Sequence, residues 1–177
     1  MKNNNIIKKE LKKKSILIKY KMPNIESYYI FGEEQEKKIK SILINYFNQN
    51  LQEQDRYSKY DFVGENINIE LKSRQNKKID SFKTTLLACN KINTDENKDL
   101  YFVFNFVFDV SNDKKQIYCI KYDKELFDTF DLEDIQYADR SYKLHYHIPI
   151  DKLTKIYEDE CNVIPLSKCK LLNKIKK

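Results

Sequence analysis

One hydrophobic run, Leu100 to Val110, most constrains how this chain of 177 residues can fold. It consists mainly of aromatic and β-branched side chains, which is typical of a strand buried on both faces. It is strand-sized and far shorter than the roughly 20 apolar residues that span a membrane as a helix. We therefore predict a central strand here, followed by a turn at residues 111–113 and a second strand from Gln116 to Tyr122.

The composition supports a folded domain. Hydrophobic residues make up 41% of the chain, with 13 Tyr and 10 Phe, so a core can form and global disorder is excluded. The N-terminus has no apolar block and no small-residue cleavage site, which excludes a secretion signal. We expect an intracellular protein (cytoplasm or nucleus) that does not enter a membrane.

The net charge of +6 is distributed unevenly along the chain. Residues 1–21 carry +7 and residues 168–177 carry +5, so residues 22–167 carry −6. We interpret these segments as a lysine-rich N-terminal arm or helix, one α/β domain, and a basic C-terminal tail. The two ends either attract phosphate groups or only keep the protein soluble.

Cysteine and histidine do not predict a metal centre. The cysteines show no CxxC pairing, so buried thiols are favoured over disulfides or zinc. Two histidines share a strand face without further ligands at a convincing spacing. The residues concerned are Cys89, Cys119, Cys161, Cys169, His145 and His147.

Two segments predict a helix followed by a hairpin. From Glu33 to about Asn48, with Gly32 at the start, apolar residues recur at helical spacing and form one stripe. Residues 57–63 and 66–72 then read as two strands joined at Gly64-Glu65. In the second strand apolar and polar residues alternate, so it has one apolar and one polar face.

Later segments predict further elements. Asp80 or Ser81 is the predicted cap of a helix that runs to about Ile92. Leu144 to Ile150 predicts a strand, and Asp151 the cap of a short helix to about Asp159. Residues 123–143 give no clear pattern. The order helix, hairpin, helix, strand predicts an α/β fold.

The polar face of the second hairpin strand carries the best candidate site. Glu70 and Lys72 lie two residues apart and project to the same side. A two-residue turn would pair Val63 with Asn66 and place Asp61 on that face, whereas a three-residue loop would shift the parity. The alternative is a solvated strand face with a cross-strand ion pair.

Two neighbouring carboxylates repel each other unless a cation neutralises them, and Mg²⁺ prefers such oxygen ligands. A lysine beside them can orient a water molecule and support negative charge on phosphorus. Glu36 falls inside the apolar stripe of the first helix, where a carboxylate needs a partner, and Glu33 at the margin is the substitute. This chemistry suits phosphodiester hydrolysis.

The ordered set resembles the PD-(D/E)XK nuclease superfamily, which has the restriction-endonuclease-like fold. The resemblance covers roughly residues 31–108 and implies a core of helix, β-hairpin, helix and strand with a mixed central sheet, to which a C-terminal hairpin and helix are added. One departure is Tyr60, where the family has proline. The residues that carry the resemblance are Glu36, Tyr60, Asp61, Glu70, Leu71 and Lys72.

The resemblance also implies roles for these residues. Asp61 and Glu70 would bind Mg²⁺ or Mn²⁺ together with the backbone carbonyl of Leu71. Lys72 would position the attacking water, and Glu36 would be an outer or second-metal ligand. Arg74, Gln75 and Lys91 are candidate phosphate contacts.

A longer pattern resembles nuclease-like proteins of large DNA viruses and phages. It comprises Glu70-Leu71-Lys72-Ser73-Arg74, Thr84-Thr85, Asn90-Lys91, Phe106-x-Phe108-Asp109 and Ile148-Pro149-Ile150.

Thr84, Thr85 and Cys89 could also suggest a hydrolase nucleophile. No histidine lies in the same predicted segment, so a core or cap helix is favoured.

The sequence therefore predicts an Mg²⁺-dependent DNA endonuclease of the restriction or repair type, acting by direct water attack. A Holliday-junction resolvase is the second choice, and a nuclease of the same fold that cuts RNA is a further alternative. The resemblance also implies a homodimer, because nucleases of this kind that cut two strands commonly use two active sites. The competing classes are a nucleic-acid-binding scaffold of the same fold without catalysis, and a viral protein-interaction module.

Overall fold

The computed structural model describes residues 25–75, 78–92, 94, 97–137 and 141–159. The predicted arms, residues 1–21 and 168–177, and Cys161 and Cys169 lie outside the described residues. Within the described part, the fold is mixed α/β with a core made mostly of sheet. In chain order the helices and strands are α1 (Ile25–Phe47), β1 (Gln52–Glu53), β2 (Phe62–Val63), β3 (Ile67–Gln75), β4 (Thr84–Ala88), β5 (Asp99–Asp109), β6 (Lys114–Lys121), α2 (Lys124–Phe127), β7 (Asp131–Gln136), β8 (Tyr142–Pro149) and β9 (Thr154–Glu158).

The larger sheet has the strand order β1-β2-β3-β5-β6-β9 among the described residues. β3 and β5 are parallel, and their neighbours pair antiparallel, so this sheet is mixed. The predicted central strand is confirmed as β5, which lies between β3 and β6. The turn after it is also confirmed, and Asp113 adopts φ 53° there, a conformation that aspartate tolerates.

β5 is buried on both faces because its alternate side chains enter two cores. Phe102, Phe104 and Phe106 point into an aromatic core shared with the smaller sheet. Val103 points to the opposite core, which α1 covers. The apolar side of β3 joins the α1 core through Ile67, Ile69 and Leu71.

The smaller sheet, ordered β4-β8-β7 and antiparallel, covers the aromatic core. Phe127 of α2 is fully buried at its centre. Its ring centroid lies 4.9 Å from that of Tyr122, 5.2 Å from that of Phe130 and 5.5 Å from that of Tyr146. This one side chain therefore joins α2 to the second sheet.

The predicted first helix is confirmed, but it begins earlier, at Ile25, so Gly32 lies inside it rather than at its start. Its most buried positions are Gln35, Ile39 and Leu43, which are spaced by four residues. Gln35 accepts a hydrogen bond from Asn105 Nδ2 at 3.0 Å. A polar contact therefore joins the helix to the central strand.

The helix predicted from Asp80 or Ser81 to about Ile92 is wrong. The chain forms β4 between two 3₁₀ turns, Ile79–Ser81 and Cys89–Lys91. In β4, Thr85 and Leu87 are buried and alternate with more exposed residues, which is the period of a strand. The segment is short enough to fit either period, and pairing with the distant strand β8 decides the outcome.

Two further predictions need correction. The segment from Asp151 to Asp159 is not a helix, because it forms a 3₁₀ turn at Ile150–Lys152 and then β9, which pairs with β6. The first hairpin strand was predicted over residues 57–63, but only Phe62–Val63 form it. The strand predicted at Leu144 to Ile150 is confirmed as β8. Cys119 is buried as expected, whereas Cys89 is only half-buried.

Among the described residues, no helix combines the length and the apolar character needed to cross a membrane.

Truncation of Phe127 tests the importance of the aromatic core. We expect Phe127→Ala to lower the free energy of unfolding by about 3–5 kcal/mol, because it leaves a cavity where four rings meet. Urea denaturation followed by circular dichroism measures the loss. Tyr57→Ala is the control, since that side chain is 93% exposed; similar losses in the two variants would contradict this account of the core.

Candidate active site

The pairing of β2 with β3 brings Asp61 beside Glu70. Phe62 pairs with Ile69 and Val63 with Asn68. The predicted pairing of Val63 with Asn66 is therefore wrong by two positions, and a shift of two keeps the parity of the strand faces. The backbone N–H of Leu71 donates to Asp61 Oδ2 at 2.5 Å, which fixes this carboxylate against β3.

Glu70 is a buried carboxylate with two lysine partners. Its exposed fraction is 0%, although it lies on the polar face of β3. Its Oε1 atom accepts from Lys72 Nζ and, at 2.7 Å, from Lys91 Nζ. Its Oε2 atom is buried and has no hydrogen-bond partner among the described residues. A buried acceptor in this state has capacity for a further ligand.

The predicted site residues line one cleft of about 1010 Å³. Its walls come from α1, the loop before β2, β3 and the 3₁₀ turn after β4. Glu70 is the exception, since it lies in the sheet behind the cleft and contacts Lys72 and Lys91 in its wall. The predicted residues in the wall are Glu36, Asp61, Leu71, Lys72, Arg74, Gln75 and Lys91, and Glu33 is there as well.

Burial and crowded negative charge raise the proton affinity of two carboxylates. Burial, and then the charge of Glu70, raises the pKa of Asp61, although Lys72 and the Leu71 N–H oppose this. Burial, followed by Asp61, raises the pKa of Glu36 from 4.5 to about 7. A cation bound near these two groups would stabilise their ionised forms and lower both pKa values.

The position of Glu36 differs from the sequence prediction. Its side chain is only half-buried, and its neighbour Gln35 occupies the buried stripe. Glu36 nevertheless faces the cleft, where Asp61 influences its charge. Ile39 and Leu43 are buried as predicted, but the buried row continues toward the start of the helix through the polar Gln35 rather than through Glu36.

The three predicted phosphate contacts differ in what they touch. Arg74 donates from Nη2 to the carbonyl of Leu86 at 2.7 Å, so it connects β3 to β4. Burial lowers the pKa of its guanidinium group. Gln75 ends β3 at the cleft wall. Lys91 forms an ion pair with Glu70. It lies on the 3₁₀ turn after β4, and the predicted helix gave no reason to expect this contact.

The donor atoms fit a hard divalent cation. No group of three or more His, Cys, Asp or Glu side chains in the described part of the chain is arranged to hold a metal ion. Mg²⁺, however, is commonly bound by one or two carboxylates, with water and substrate phosphate supplying the rest. Asp61, the unpartnered Glu70 Oε2 atom and the Leu71 carbonyl are oxygen donors of this kind.

A second polar cluster lies on the smaller sheet. Thr84 Oγ1 is 3.2 Å from His147 Nδ1, and His147 Nε2 is 2.7 Å from Glu133 Oε2. His145 is buried, with Nε2 2.9 Å from the Tyr137 hydroxyl. The helix favoured for the segment of Thr84 is wrong, and the pairing of β4 with β8 brings a histidine from another segment beside Thr84. The sequence analysis did not predict this pairing, because it assigned the segment of β4 to a helix.

Comparisons with protein-family models, with curated proteins and with solved structures found no match for this chain.

The raised pKa of Glu36 predicts a pH-dependent stability of the metal-free protein. A carboxyl group whose pKa is higher when folded binds its proton more tightly in the folded state, so stability falls as pH rises from 4.5 to about 7. Glu36→Gln removes this loss. We expect the variant to gain stability relative to wild type across that window and to hold the gain above pH 7.

Thermal denaturation in EDTA at several pH values measures the effect. Glu34→Gln is the matched control, because Glu34 is an exposed carboxylate on the same helix. A constant difference between Glu36→Gln and wild type at every pH would show that burial does not shift this group.

The two lysines on Glu70 should stabilise the fold interdependently. After Lys72→Met or Lys91→Met, one cation still contacts Glu70 Oε1. The double variant leaves a buried charge without a partner, so its loss should exceed the sum of the single losses by roughly 1–3 kcal/mol. Adding Glu70→Gln should restore most of it. Urea denaturation in EDTA measures this cycle, and simple additivity would refute the shared contact.

Proposed function

We propose that this chain is a divalent-metal-dependent nuclease that hydrolyses phosphodiester bonds of DNA by direct attack of water. The observation that carries the proposal is the convergence of Asp61, which directly precedes β2, with Glu70 and Lys72 of β3 beside one cleft. The unpartnered oxygen of Glu70 adds to it, because a buried carboxylate oxygen without a donor favours a cation.

Asp61, Glu70 and the Leu71 carbonyl would hold Mg²⁺ or Mn²⁺. When bound, such an ion lowers the pKa of a water ligand and polarises phosphoryl oxygens. Glu36, in the wall of the same cleft, would be an outer or second-metal ligand. Burial and the charge of Asp61 raise its pKa to about 7 in the metal-free protein, and a bound cation would favour its ionised form.

Lys72 is the residue best placed to orient the attacking water. Its Nζ atom donates to Glu70 Oε1 and, at 3.1 Å, to the carbonyl of Leu71. These acceptors fix its ammonium group within the proposed donor set. Lys91 contacts the same oxygen, so two positive charges lie near the proposed position of a phosphate.

The restriction-endonuclease-like arrangement is part of the proposal. α1 with Glu36, the hairpin with Asp61 and Glu70, and the strand β5 parallel to β3 support it. The expected second helix is replaced by β4, so this arrangement would have a strand and a 3₁₀ turn where the family has a helix. Lys91, on that turn, would contribute a positively charged side chain to the wall of the cleft.

A cleavage assay tests the function. Duplex DNA, single-stranded DNA, four-way junctions and RNA are incubated with the protein in Mg²⁺ or Mn²⁺, which also separates the restriction or repair, resolvase and ribonuclease alternatives. We expect Glu70→Gln and Lys72→Met each to lower the cleavage rate at least about 100-fold. Glu125→Gln and Lys124→Met on α2 are matched controls, because both side chains are exposed.

Calorimetric titration with Mn²⁺ supplies a second measurement. Wild type should bind the ion and Asp61→Asn should not, whereas the exposed control Asp131→Asn should bind normally. A protein that binds no metal and cuts no substrate would be a scaffold rather than an enzyme. Equal cleavage by wild type and the site variants would also refute the proposal.

A further inference from the structure

A second cavity, of about 840 Å³, lies between the two sheets beside the cleft. We call it the inter-sheet cavity. Side chains of β3 and β5 form one wall, and side chains of β4, β7 and β8 form the others. Its apolar lining includes Ile79, Phe82, Phe106, Ile135 and Ile150. Apolar cavities of this size with a few polar groups are typical ligand sites.

The charged residues of the cavity lining have one sign. Lys72, Arg74 and Lys83 line it, and no Asp or Glu does so among the described residues. Glu133 lies behind His147 as its hydrogen-bond partner. The lining therefore suits a ligand that combines an apolar ring with a negative charge.

The inter-sheet cavity shares a wall with the cleft. Lys72 and Arg74 line both, because they are two residues apart on β3 and project to the same side. A phosphate at Lys72 in the cleft would therefore have its own nucleoside next to the inter-sheet cavity. Continuity of the two sites is the argument for a nucleotide as the occupant.

The polar side of the cavity can recognise an amino group. The Glu133 carboxylate only accepts hydrogen bonds, so His147 Nε2 donates to it. In the neutral imidazole, Nδ1 then accepts from the Thr84 hydroxyl, 3.2 Å away. The Thr84 oxygen keeps its lone pairs for a donor in the cavity, such as the exocyclic amine of a base.

We infer that the inter-sheet cavity receives one unpaired base of the strand whose phosphate lies at Lys72. Phe82, which is 56% exposed, provides a ring against which the base can stack. The substrate class is thus nucleic acid that is single-stranded or contains an unpaired nucleotide at the cleavage point. The inference rests on the proposed function for the position of the phosphate.

Binding in EDTA tests the inference without cleavage. The probes are a DNA duplex with one bulged 2-aminopurine and the same duplex with 2-aminopurine fully paired. We expect the bulged probe to bind at least about tenfold more tightly, and its fluorescence to change on binding because the base leaves water and contacts a ring. Equal affinity for the two probes would overturn the inference.

Variants locate the base. Phe82→Ala should weaken binding of the bulged probe roughly 5- to 100-fold, and Ile135→Trp, which fills the cavity, should abolish its preference over the paired probe. Tyr57→Ala is the control, because Tyr57 is an exposed aromatic residue that lines neither cavity. Equal losses in Phe82→Ala and Tyr57→Ala would refute a base in this cavity.

The two proposals can fail separately. Preferential binding of the bulged probe, lost in Phe82→Ala, would support the base site even if no metal promotes cleavage, and only the nuclease proposal would then fall. Metal-dependent cleavage with equal binding of both probes would leave the nuclease proposal intact and overturn the base site.

Discussion

The burial of Glu70 is the constraint on which the arrangement of this protein depends. A carboxylate without solvent contact requires cations, and Lys72 and Lys91 supply them from two different parts of the chain. Lys72 comes from the same strand, whereas Lys91 lies on the 3₁₀ turn after β4, a strand that Arg74 joins to β3. The Oε1 atom of Glu70 therefore contacts two lysines that the fold brings together at the candidate site. Its Oε2 atom has no hydrogen-bond partner among the described residues.

The smaller sheet has two effects on the site. It covers the phenylalanine face of β5, so these aromatic side chains are buried, and the turn after β4 places Lys91 at the cleft. It also creates the inter-sheet cavity, whose polar side depends on the pairing of β4 with β8. An α-helix in place of β4 could not have brought Thr84 to His147 through strand pairing. Both features therefore depend on a strand at the position of the predicted second helix.

Sequence patterns predicted the elements in which a regular spacing of apolar residues, or a strongly apolar composition, extends over many residues. The helix that carries Glu36, the central strand β5 and the alternating strand β3 were all recognisable, since burial selects their apolar residues at fixed spacing. β4 and β9 were mistaken for helices. Each is only a few residues long, and its state depends on pairing with a strand far away in the chain. Gln35 was missed as a core residue because its partner, Asn105, lies on another element.

By itself, the sequence determined that one strand face presents Glu70 and Lys72 together, since side chains alternate along any strand. It also placed Asp61 shortly before that strand, but the length of the connecting loop left open which residue Asp61 lies beside. Only the tertiary structure decided that Glu70 is buried, that Lys91 contacts it, and that a second cavity adjoins the cleft. These features depend on contacts between distant segments, and the free energy of such contacts is set by packing rather than by local pattern.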